Sequence, residues 1–279
     1  MQEATLPELR ARASVPSTEE APNARASREK GLDRAVQILD FLHAHQRPIA
    51  IGDLAKQLGA PRSTIYTLVK SLTAVGFVET VGEDGRIFFG KKLYLYGMDY
   101  MRENDLVRRG REEVDRLSRD TGETAELCML QNGRYTIIHM CPGARPFRIS
   151  SAVGLQIPLP WTASGRLLLS NFSTADIDSM VSDDDLVLPD GRRIERETFK
   201  ASIADARRLG HCITSGLVDA FTMCLAAPVY DAGGAIGATL CLVVPIDTPS
   251  SVRSELLTVL LERAGKLSIR SNGEKSRIS

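Results

Sequence analysis

The chain has 279 residues, with 35 basic and 35 acidic side chains and a formal net charge of zero. Its hydrophobic content of 43% and charged content of 25% are typical of globular proteins, which excludes general disorder. The balanced charge argues against a protein that binds polyanions over its whole surface, although one face can still be basic. Neither charge-free stretch, 149–165 or 232–246, is an uninterrupted apolar run of membrane-spanning length, so we expect no transmembrane helix.

The N-terminus and the cysteines favour a cytoplasmic protein. The first 26 residues carry four acidic side chains and no apolar segment, so they do not resemble a secretory signal. The five cysteines are odd in number and lack C-x-x-C spacing, which predicts neither a disulfide framework nor a zinc site. His139 and His211 stand alone, with no cysteine or carboxylate at ligand spacing. We therefore expect no metal and no cofactor.

Apolar periodicity divides the chain into five parts. The N-terminal part mixes Pro, Ala, Ser, Glu and Arg without an apolar period, which predicts a flexible tail, and order is expected to begin near Gly31. The predicted parts are a tail over 1–27, a winged helix-turn-helix over 28–92, connecting helices over 93–121, a mixed domain over 122–270 and a second tail over 271–279.

The first ordered part has the pattern of a winged helix. Helical spacing of apolar residues begins at Leu32, a second short helix ends at Gly59, and Pro61 is placed at the first position of a third helix. Two short helices joined by a tight turn form a helix-turn-helix. The segments 77–81 and 86–89, around a Gly-containing loop, predict the β-hairpin of a wing. The apolar stripes are expected at Leu32, Ala35, Val36, Leu39 and Leu42 in the first helix and at Ile65, Leu68, Val69 and Leu72 in the third.

Beyond Gly122 the pattern changes to paired strands with helices between them. Asn132-Gly133 is a strong hairpin signal between strands over 123–131 and 134–141. This order is typical of an α+β domain with an antiparallel sheet. A second hairpin is predicted over 223–231 and 235–245, and helices are predicted near 162–170, 174–181, 197–209 and 252–270.

The third helix is the candidate DNA-reading element. No acidic residue lies between Asp53 and Glu79, whereas three basic residues do. A recognition helix contacts base edges with its N-terminal residues, while flanking polar and basic groups hold phosphates. Tyr66 and Thr67 are the best candidates for base contact. The predicted DNA-binding residues are Arg34, Arg62, Ser63, Thr64, Tyr66, Thr67, Lys70 and Arg86. The alternative is a winged helix that serves only as a protein-interaction module.

Several segments together resemble one known family. These are GLDRAVQILDFLHAHQRPIAIGDLAKQLGAPRSTIYTLVKSLTAVGFVET, TGETAEL, RISSAVGLQIPLPWTASGRLLLS and CLAAPVYDAGGAIGATLCLVV. In order and spacing, over residues 31 to about 270, they are similar to the IclR family of bacterial transcriptional regulators. The resemblance implies that 122–270 is a GAF-like effector-binding domain, and that the partners are a small-molecule effector and double-stranded operator DNA, with a pseudo-palindromic operator. It also implies a homodimer or a tetramer, and a repressor or an activator of a catabolic operon, with a repressor expected.

The resemblance also implies positions for the effector pocket. Leu217 stands where the family signature has an acidic residue, and Cys241 and Val243 stand where many members have two serines. Because a buried carboxylate needs hydrogen bonds that these residues cannot supply, we expect a larger, more apolar effector, for example an aromatic one. The resemblance places the loop 161–164, including Thr162, at the pocket. The implied effector-binding residues are Trp161, Ala163, Ser164, Thr214, Thr222, Cys224, Cys241 and Val243.

Two alternatives use the thiol of Cys224. One is an enzyme that processes a small molecule through this cysteine, and the other is a thiol redox sensor. The neighbours Met223, Leu225 and Ala226 are apolar, and apolar surroundings raise the pKa of a thiol and make it inert. The regulator hypothesis therefore leads, and the chain is not expected to be an enzyme.

Overall fold

The computed structural model describes residues 22–131, 133–144, 152–154 and 156–269, with side chains from Gly31 onward. The chain forms two compact units that divide between Met98 and Asp99. Both segments predicted to be tails fall mainly outside the described residues, as does Asn132 of the predicted hairpin. No helix in the described ranges is both long enough and apolar enough to cross a membrane.

The first unit is a winged helix-turn-helix. Strands β1 and β2 pair antiparallel from Val78 opposite Phe89 to Val81 opposite Arg86, and a bridge between Ile49 and Ile87 adds the segment before α2 to the wing. The elements, in chain order, are α1 (Pro22–His45), α2 (Ile51–Gln57), α3 (Arg62–Ala74), β1 (Val78–Val81) and β2 (Arg86–Phe89). The predicted helix-turn-helix and hairpin are confirmed.

One apolar core holds these elements together. It contains Leu42 from α1, Leu54 from α2 and Ile65 from α3, all of which are fully buried, together with Ile87 from the wing. The turn between α2 and α3 is made by Gly59, whose positive φ of 57° lies in the left-handed region that glycine adopts most easily. Burial of apolar side chains from four elements fixes the position of α3 on the unit.

The structure differs from the sequence analysis at three places in this unit. Helix α1 begins at Pro22, so residues 22–27 are helical and not part of a tail; the run after Pro22 is rich in Ala, Arg, Glu and Lys, which favour helices. Pro61 is the N-cap residue of α3 and not its first helical residue. Leu32 and Val36 are 67% and 47% exposed, because the buried stripe of α1 runs through Ile38 and Leu42.

A pair of helices leads into the second unit. Helix α4 (Lys91–Glu103) contains the division between the units, and α5 (Asp105–Thr121) follows after a break at Asn104. The Asn104 side chain accepts a hydrogen bond from the backbone N–H of Val107 at 3.1 Å, which caps α5.

The second unit is built on a six-stranded antiparallel sheet of order β5-β4-β3-β8-β7-β6. The predicted α+β class is therefore confirmed, and the edge strands β5 and β6 are additions that the sequence analysis did not predict. The strands are β3 (Thr124–Gln131), β4 (Arg134–Cys141), β5 (Gln156–Ile157), β6 (Cys212–Ser215), β7 (Thr222–Tyr230) and β8 (Ile236–Pro245), and the remaining helices are α6 (Ala163–Leu169), α7 (Thr174–Met180), α8 (Arg196–Leu209) and α9 (Ser250–Leu267), with short 3₁₀ turns at Leu159–Trp161 and Asp184–Leu186.

The two faces of this sheet have different neighbours. Alternate residues such as Leu225 and Leu242 pack with Leu117 of α5 and Leu260 of α9. Their neighbours along the strands point the other way, so that Val243 packs with residues of α6, α7 and α8. Both faces are covered, which explains why β7 and β8 are almost wholly apolar.

Helix α6 begins in close contact with the preceding 3₁₀ turn. Thr162 is the N-cap residue, and its Oγ1 accepts a hydrogen bond from the Gly165 N–H at 2.8 Å. A Cβ at Gly165 would lie 2.2 Å from the Leu159 carbonyl oxygen. Only glycine therefore allows the turn to approach the first residues of this helix.

Gly165→Ala is expected to lower the free energy of unfolding by about 2 kcal/mol, since the added methyl group must displace backbone. The matched control is Gly265→Ala in α9, where nothing lies within 4 Å of the added Cβ. That helical, exposed change is expected to stabilise the protein by about 0.5–1 kcal/mol. Urea denaturation followed by circular dichroism measures both, and equal stabilities of the two variants would contradict the close approach.

Candidate DNA-binding surface and effector cavity

Helix α3 separates its core residues from the predicted DNA-binding residues. Ile65, Val69 and Leu72 are buried. The polar and aromatic side chains of α3 point into solvent, and this is the orientation that recognition of a DNA groove requires. Those exposed side chains are Arg62, Ser63, Thr64, Tyr66, Thr67 and Lys70.

The start of α3 and the middle of α1 form an open groove. It is lined by Gly31, Arg34, Pro61, Ser63, Thr64, Thr67 and Leu68. The Arg34 guanidinium donates to Gln37 Oε1 at 2.9 Å and to the Leu58 carbonyl at 3.4 Å. Arg34 thus lies beside α3, as a phosphate contact requires, but it also ties α1 to the end of α2. Substitution of Arg34 would therefore affect the fold as well as the surface.

A second groove lies between α3 and the wing. Tyr66, Thr67 and Lys70 line it together with Thr80 and Ile87. At the tip of the wing, Arg86 Nε lies 2.6 Å from Asp84 Oδ2, and both side chains are more than half exposed. An exposed ion pair of this kind contributes little to stability, so the Arg86 guanidinium can exchange Asp84 for a phosphate at small cost.

The second unit contains a partly open cavity of about 40 Å3 between the sheet and the start of α6. Six of the eight residues implied by the family resemblance line it. They are Ala163, Ser164, Thr222, Cys224, Cys241 and Val243. The strand register explains this grouping, because Cys224 lies opposite Val243 and residues two apart share a face.

Trp161 and Thr214 are not among the residues that line the cavity. The Trp161 indole N–H donates to the Asp185 carbonyl at 2.7 Å, which directs the ring toward the second 3₁₀ turn. Thr214 lies opposite Cys224 but on the edge strand β6, one strand farther out. This hydrogen bond accounts for the position of the Trp161 ring without a ligand.

Six further residues line the cavity, and the sequence analysis missed all of them except Thr162, which it placed in the pocket loop 161–164. Glu126 could have been identified from the sequence, because a carboxylate is unusual inside a strand as apolar as AELCML. The family signature has an acidic residue at the position of Leu217. In this chain Asp219, two positions later, is acidic and lines the cavity. The six are Glu126, Tyr135, Ile157, Thr162, Val218 and Asp219.

A buried polar cluster forms part of the cavity lining. The Tyr135 hydroxyl donates to Glu126 Oε2 at 3.0 Å and lies 2.9 Å from Cys128 Sγ. Burial raises the pKa of Tyr135 and of Cys128 well above their usual values, and the nearby Glu126 charge adds to both shifts. Tyr135 and Cys128 therefore keep their protons at neutral pH, so the cluster holds one carboxyl group among protonated neighbours.

The thiols of Cys241 and Cys212 are also protonated, because their pKa values are raised. A hydrogen bond with the Cys224 thiol, together with burial, raises the pKa of Cys241 well above its usual value. Burial raises the pKa of Cys212 to about 11. Thiols in this state are poor nucleophiles. The described residues contain no group of three His, Cys, Asp or Glu side chains that could hold a metal ion.

Tyr135→Phe removes the hydroxyl that donates to Glu126 and is expected to lower the free energy of unfolding by about 1.5–3 kcal/mol, the usual range for a buried hydrogen bond to a charged group. Tyr230→Phe is the control, because Tyr230 ends β7 with its side chain 39% exposed. It should change stability by less than about 0.5 kcal/mol. A Tyr135→Phe protein as stable as the control variant in urea would contradict the importance of this contact.

Comparison with known protein families gives two matches that together span both units. Residues 31–82 match the model described as the IclR helix-turn-helix domain. Residues 98–269 match the model described as the bacterial transcriptional regulator IclR C-terminal domain. The second match alone covers more than half of the chain.

Individual relatives agree with these models. The chain is 29% identical over 248 residues to the glycerol operon regulatory protein of Streptomyces griseus, covering 86% of this chain and 95% of that protein. It is 22% identical over 205 residues to the transcriptional repressor IclR of Escherichia coli K12, covering 72% and 75%. An IclR homologue from Microbacterium hydrocarbonoxydans, solved in complex with 4-hydroxybenzoate, has the same fold, with a TM-score of 0.75, 19% identity and coverage of 85% and 97%.

Proposed function

Because this chain belongs to the IclR family of bacterial transcriptional regulators, we propose that it represses a catabolic operon and releases its operator in response to a small, largely apolar or aromatic metabolite. The observation that supports this most directly is the combination of the exposed polar face of α3 in one unit with the cavity beside α6 in the other. Family members are transcriptional regulators and not enzymes, which removes the enzyme hypothesis for Cys224. The site of action is the cytoplasm, where operator DNA is found.

The surface of α3 supports the DNA-binding half of this proposal. Tyr66 and Lys70 border the groove beside the wing, and Ser63 and Thr64 border the groove beside α1. The exposed N-terminal turn of a helix offers unpaired backbone N–H groups and a positive dipole end, both of which suit phosphate oxygens. The proposed base contacts are Tyr66 and Thr67, and the proposed phosphate contacts are Arg34, Arg62, Lys70 and Arg86.

The cavity supports the effector-binding half. The Microbacterium homologue is described as a complex with an aromatic compound, 4-hydroxybenzoate. In this chain the cavity of about 40 Å3 is too small for a ring, since an engineered cavity that holds benzene measures about 150 Å3. We infer that Val218 and Asp219, in the half-exposed segment between β6 and β7, move outward when the effector enters.

A second copy of the chain completes the proposed regulator. Within the described chain, α4 buries none of its residues, and five of its large apolar or aromatic side chains are at least 50% exposed. An apolar surface of this kind marks an interaction site. The five are Tyr94, Leu95, Tyr96, Met98 and Tyr100. A two-fold dimer would read a pseudo-palindromic operator with half-sites about 34 Å apart or at a multiple of that spacing.

Tyr66→Ala and Lys70→Ala are each expected to weaken binding to DNA from upstream of the protein's own gene by about tenfold or more. Tyr66→Ala should reduce the preference over random DNA, whereas Lys70→Ala should weaken all sequences and reduce the salt slope by about one, as loss of a phosphate contact does. Fluorescence anisotropy at two salt concentrations, with random competitor, measures both effects.

Lys266→Ala is the matched control for Lys70→Ala, since Lys266 is an exposed lysine of α9 in the other unit. It should bind DNA like the unmodified protein. Specific binding is expected to be about a thousandfold tighter than binding to competitor. The regulator function is contradicted if the unmodified protein binds upstream and random DNA equally. The role of α3 as the reading element is contradicted if Tyr66→Ala and Lys70→Ala both keep full affinity.

Leu95→Glu is expected to convert a dimer into monomers, because a charge at the 56% exposed Leu95 would be buried between two copies of α4. Analytical ultracentrifugation should show the mass of the smallest stable species halved, with a matching loss of operator affinity. Leu209→Glu is the control, since Leu209 is 51% exposed at the end of α8. Equal masses for both variants and the unmodified protein would argue against α4 as the dimer surface.

A further inference from the structure

We propose that Thr67 of α3 reads a thymine in each half-site of the operator, through contact between its side-chain methyl group and the 5-methyl group of the base. This inference rests on the proposed function, because it takes α3 as the helix that enters the major groove. It adds the base that is read and the atoms that read it, which neither the family match nor the named relatives supply.

Thr67 lies at the centre of the exposed face of α3. It lines the groove beside α1 and also the groove beside the wing. Its side chain is exposed, whereas the core residues of the same helix, such as Ile65 and Val69, are buried. A recognition helix contacts base edges with its N-terminal residues, and Thr67 lies in the second turn of α3. This position suits a contact with a base.

The proton of the Thr67 hydroxyl is used within α3. Its Oγ1 donates to the carbonyl of Ser63, four residues earlier, at 2.9 Å. A threonine hydroxyl that bonds to this carbonyl points back along the helix. It therefore cannot donate to a base without giving up that bond, and the methyl group is the part of the side chain left for an apolar contact.

The neighbouring side chains of α3 lack the groups that read the other bases. Guanine, adenine and cytosine are read in the major groove mainly by Arg, Lys, Asn, Gln and carboxylate side chains. None of these residue types lies between Arg62 and Lys70, where the exposed side chains are short hydroxyl residues and Tyr66. Thymine is the base whose methyl group is recognised by apolar contact. The composition of this stretch thus favours thymine as the base opposite Thr67.

Apolar groups adjoin Thr67 on both sides. Leu68 is partly buried and lines the groove beside α1, and Tyr66 is 52% exposed and lines the groove beside the wing. Contact between two methyl groups gains affinity because it removes both from water. Burial of one methyl group corresponds to about a fourfold change in the dissociation constant.

Deoxyuridine tests this contact, because it differs from thymidine only in lacking the 5-methyl group. The full-length protein first selects a binding site from a pool of random-sequence duplexes, and each thymine of that site is then replaced in turn by deoxyuridine. Dissociation constants are measured by fluorescence anisotropy at one fixed salt concentration. Replacement of at least one thymine in each half-site should weaken binding about fourfold, and replacement in both half-sites about fifteenfold.

Two conservative variants separate the methyl group from the hydroxyl. Thr67→Val keeps the methyl group, so it should bind within about twofold of the unmodified protein and respond to deoxyuridine in the same way. Thr67→Ser keeps the hydroxyl and should bind the thymine-containing site about fifteenfold more weakly. It should also no longer respond to deoxyuridine at the contacted thymines, and this loss of response identifies Thr67 as the contacting residue.

Thr258→Ser is the matched control for Thr67→Ser. Thr258 is exposed in α9, and its Oγ1 donates to the Ser254 carbonyl at 2.9 Å, which is the same bond that Thr67 makes in α3. Thr258→Ser should leave both the DNA affinity and the response to deoxyuridine unchanged.

Three results would overturn the inference. One is a selected site in which no thymine responds to deoxyuridine. Another is a loss of about tenfold in Thr67→Val with full affinity in Thr67→Ser, because the hydroxyl oxygen of Thr67 then reads the base as an acceptor. The third is an unchanged response of Thr67→Ser to deoxyuridine, because another side chain then contacts the thymine methyl group.

Selection of the binding site also separates this inference from the proposed function. If no sequence is enriched from the pool and all duplexes bind equally, the regulator function fails, and the inference that rests on it fails with it. If a sequence is enriched but its thymine methyl groups contribute nothing, the regulator function stands and only the base assigned to Thr67 is wrong.

Discussion

Burial of both faces of the six-stranded sheet is the constraint on which the second unit depends. Helices α5 and α9 cover one face with a continuous apolar core, and α6, α7 and α8 cover the other. Because side chains alternate along a strand, each strand must supply apolar residues to both layers. A polar side chain such as Glu126 can be kept only on the face where the layers do not close completely, and the cavity lies on that face.

The same constraint explains which parts of the fold could be predicted. Strands β7 and β8 are long and apolar and flank a Gly-rich turn, so their positions were predicted to within a few residues. Strands β5 and β6 have two and four residues, and no periodicity can be read from so short a segment. Their pairing is set by neighbours distant in sequence.

The first unit shows a second limit of sequence patterns. In α1 the residues Leu32, Val36 and Leu39 have helical spacing, yet the fully buried residues are Ile38 and Leu42, and Leu32 and Val36 are exposed. Apolar residues at helical spacing mark each face of a helix that contacts an apolar partner. That partner can belong to the same chain or to another. The exposed apolar residues of α1 and α4 are therefore informative about assembly, although periodicity alone assigns them to the core.

The cavity residues show why family positions predict a pocket better than its chemistry. Alternation along β7 and β8 fixes Cys224, Cys241 and Val243 on the cavity face of any sequence with this register, so they could be carried over from a motif. The resemblance did not identify Glu126, although this residue lies in the TGETAEL segment, or Asp219, two positions after Leu217, and both line the cavity. Loss of two serines suggests only a less polar pocket, whereas the lining also contains the buried hydrogen bond between Tyr135 and Glu126. The polarity of the cavity thus depends on residues of β3 and β4 as well as on those of β7 and β8.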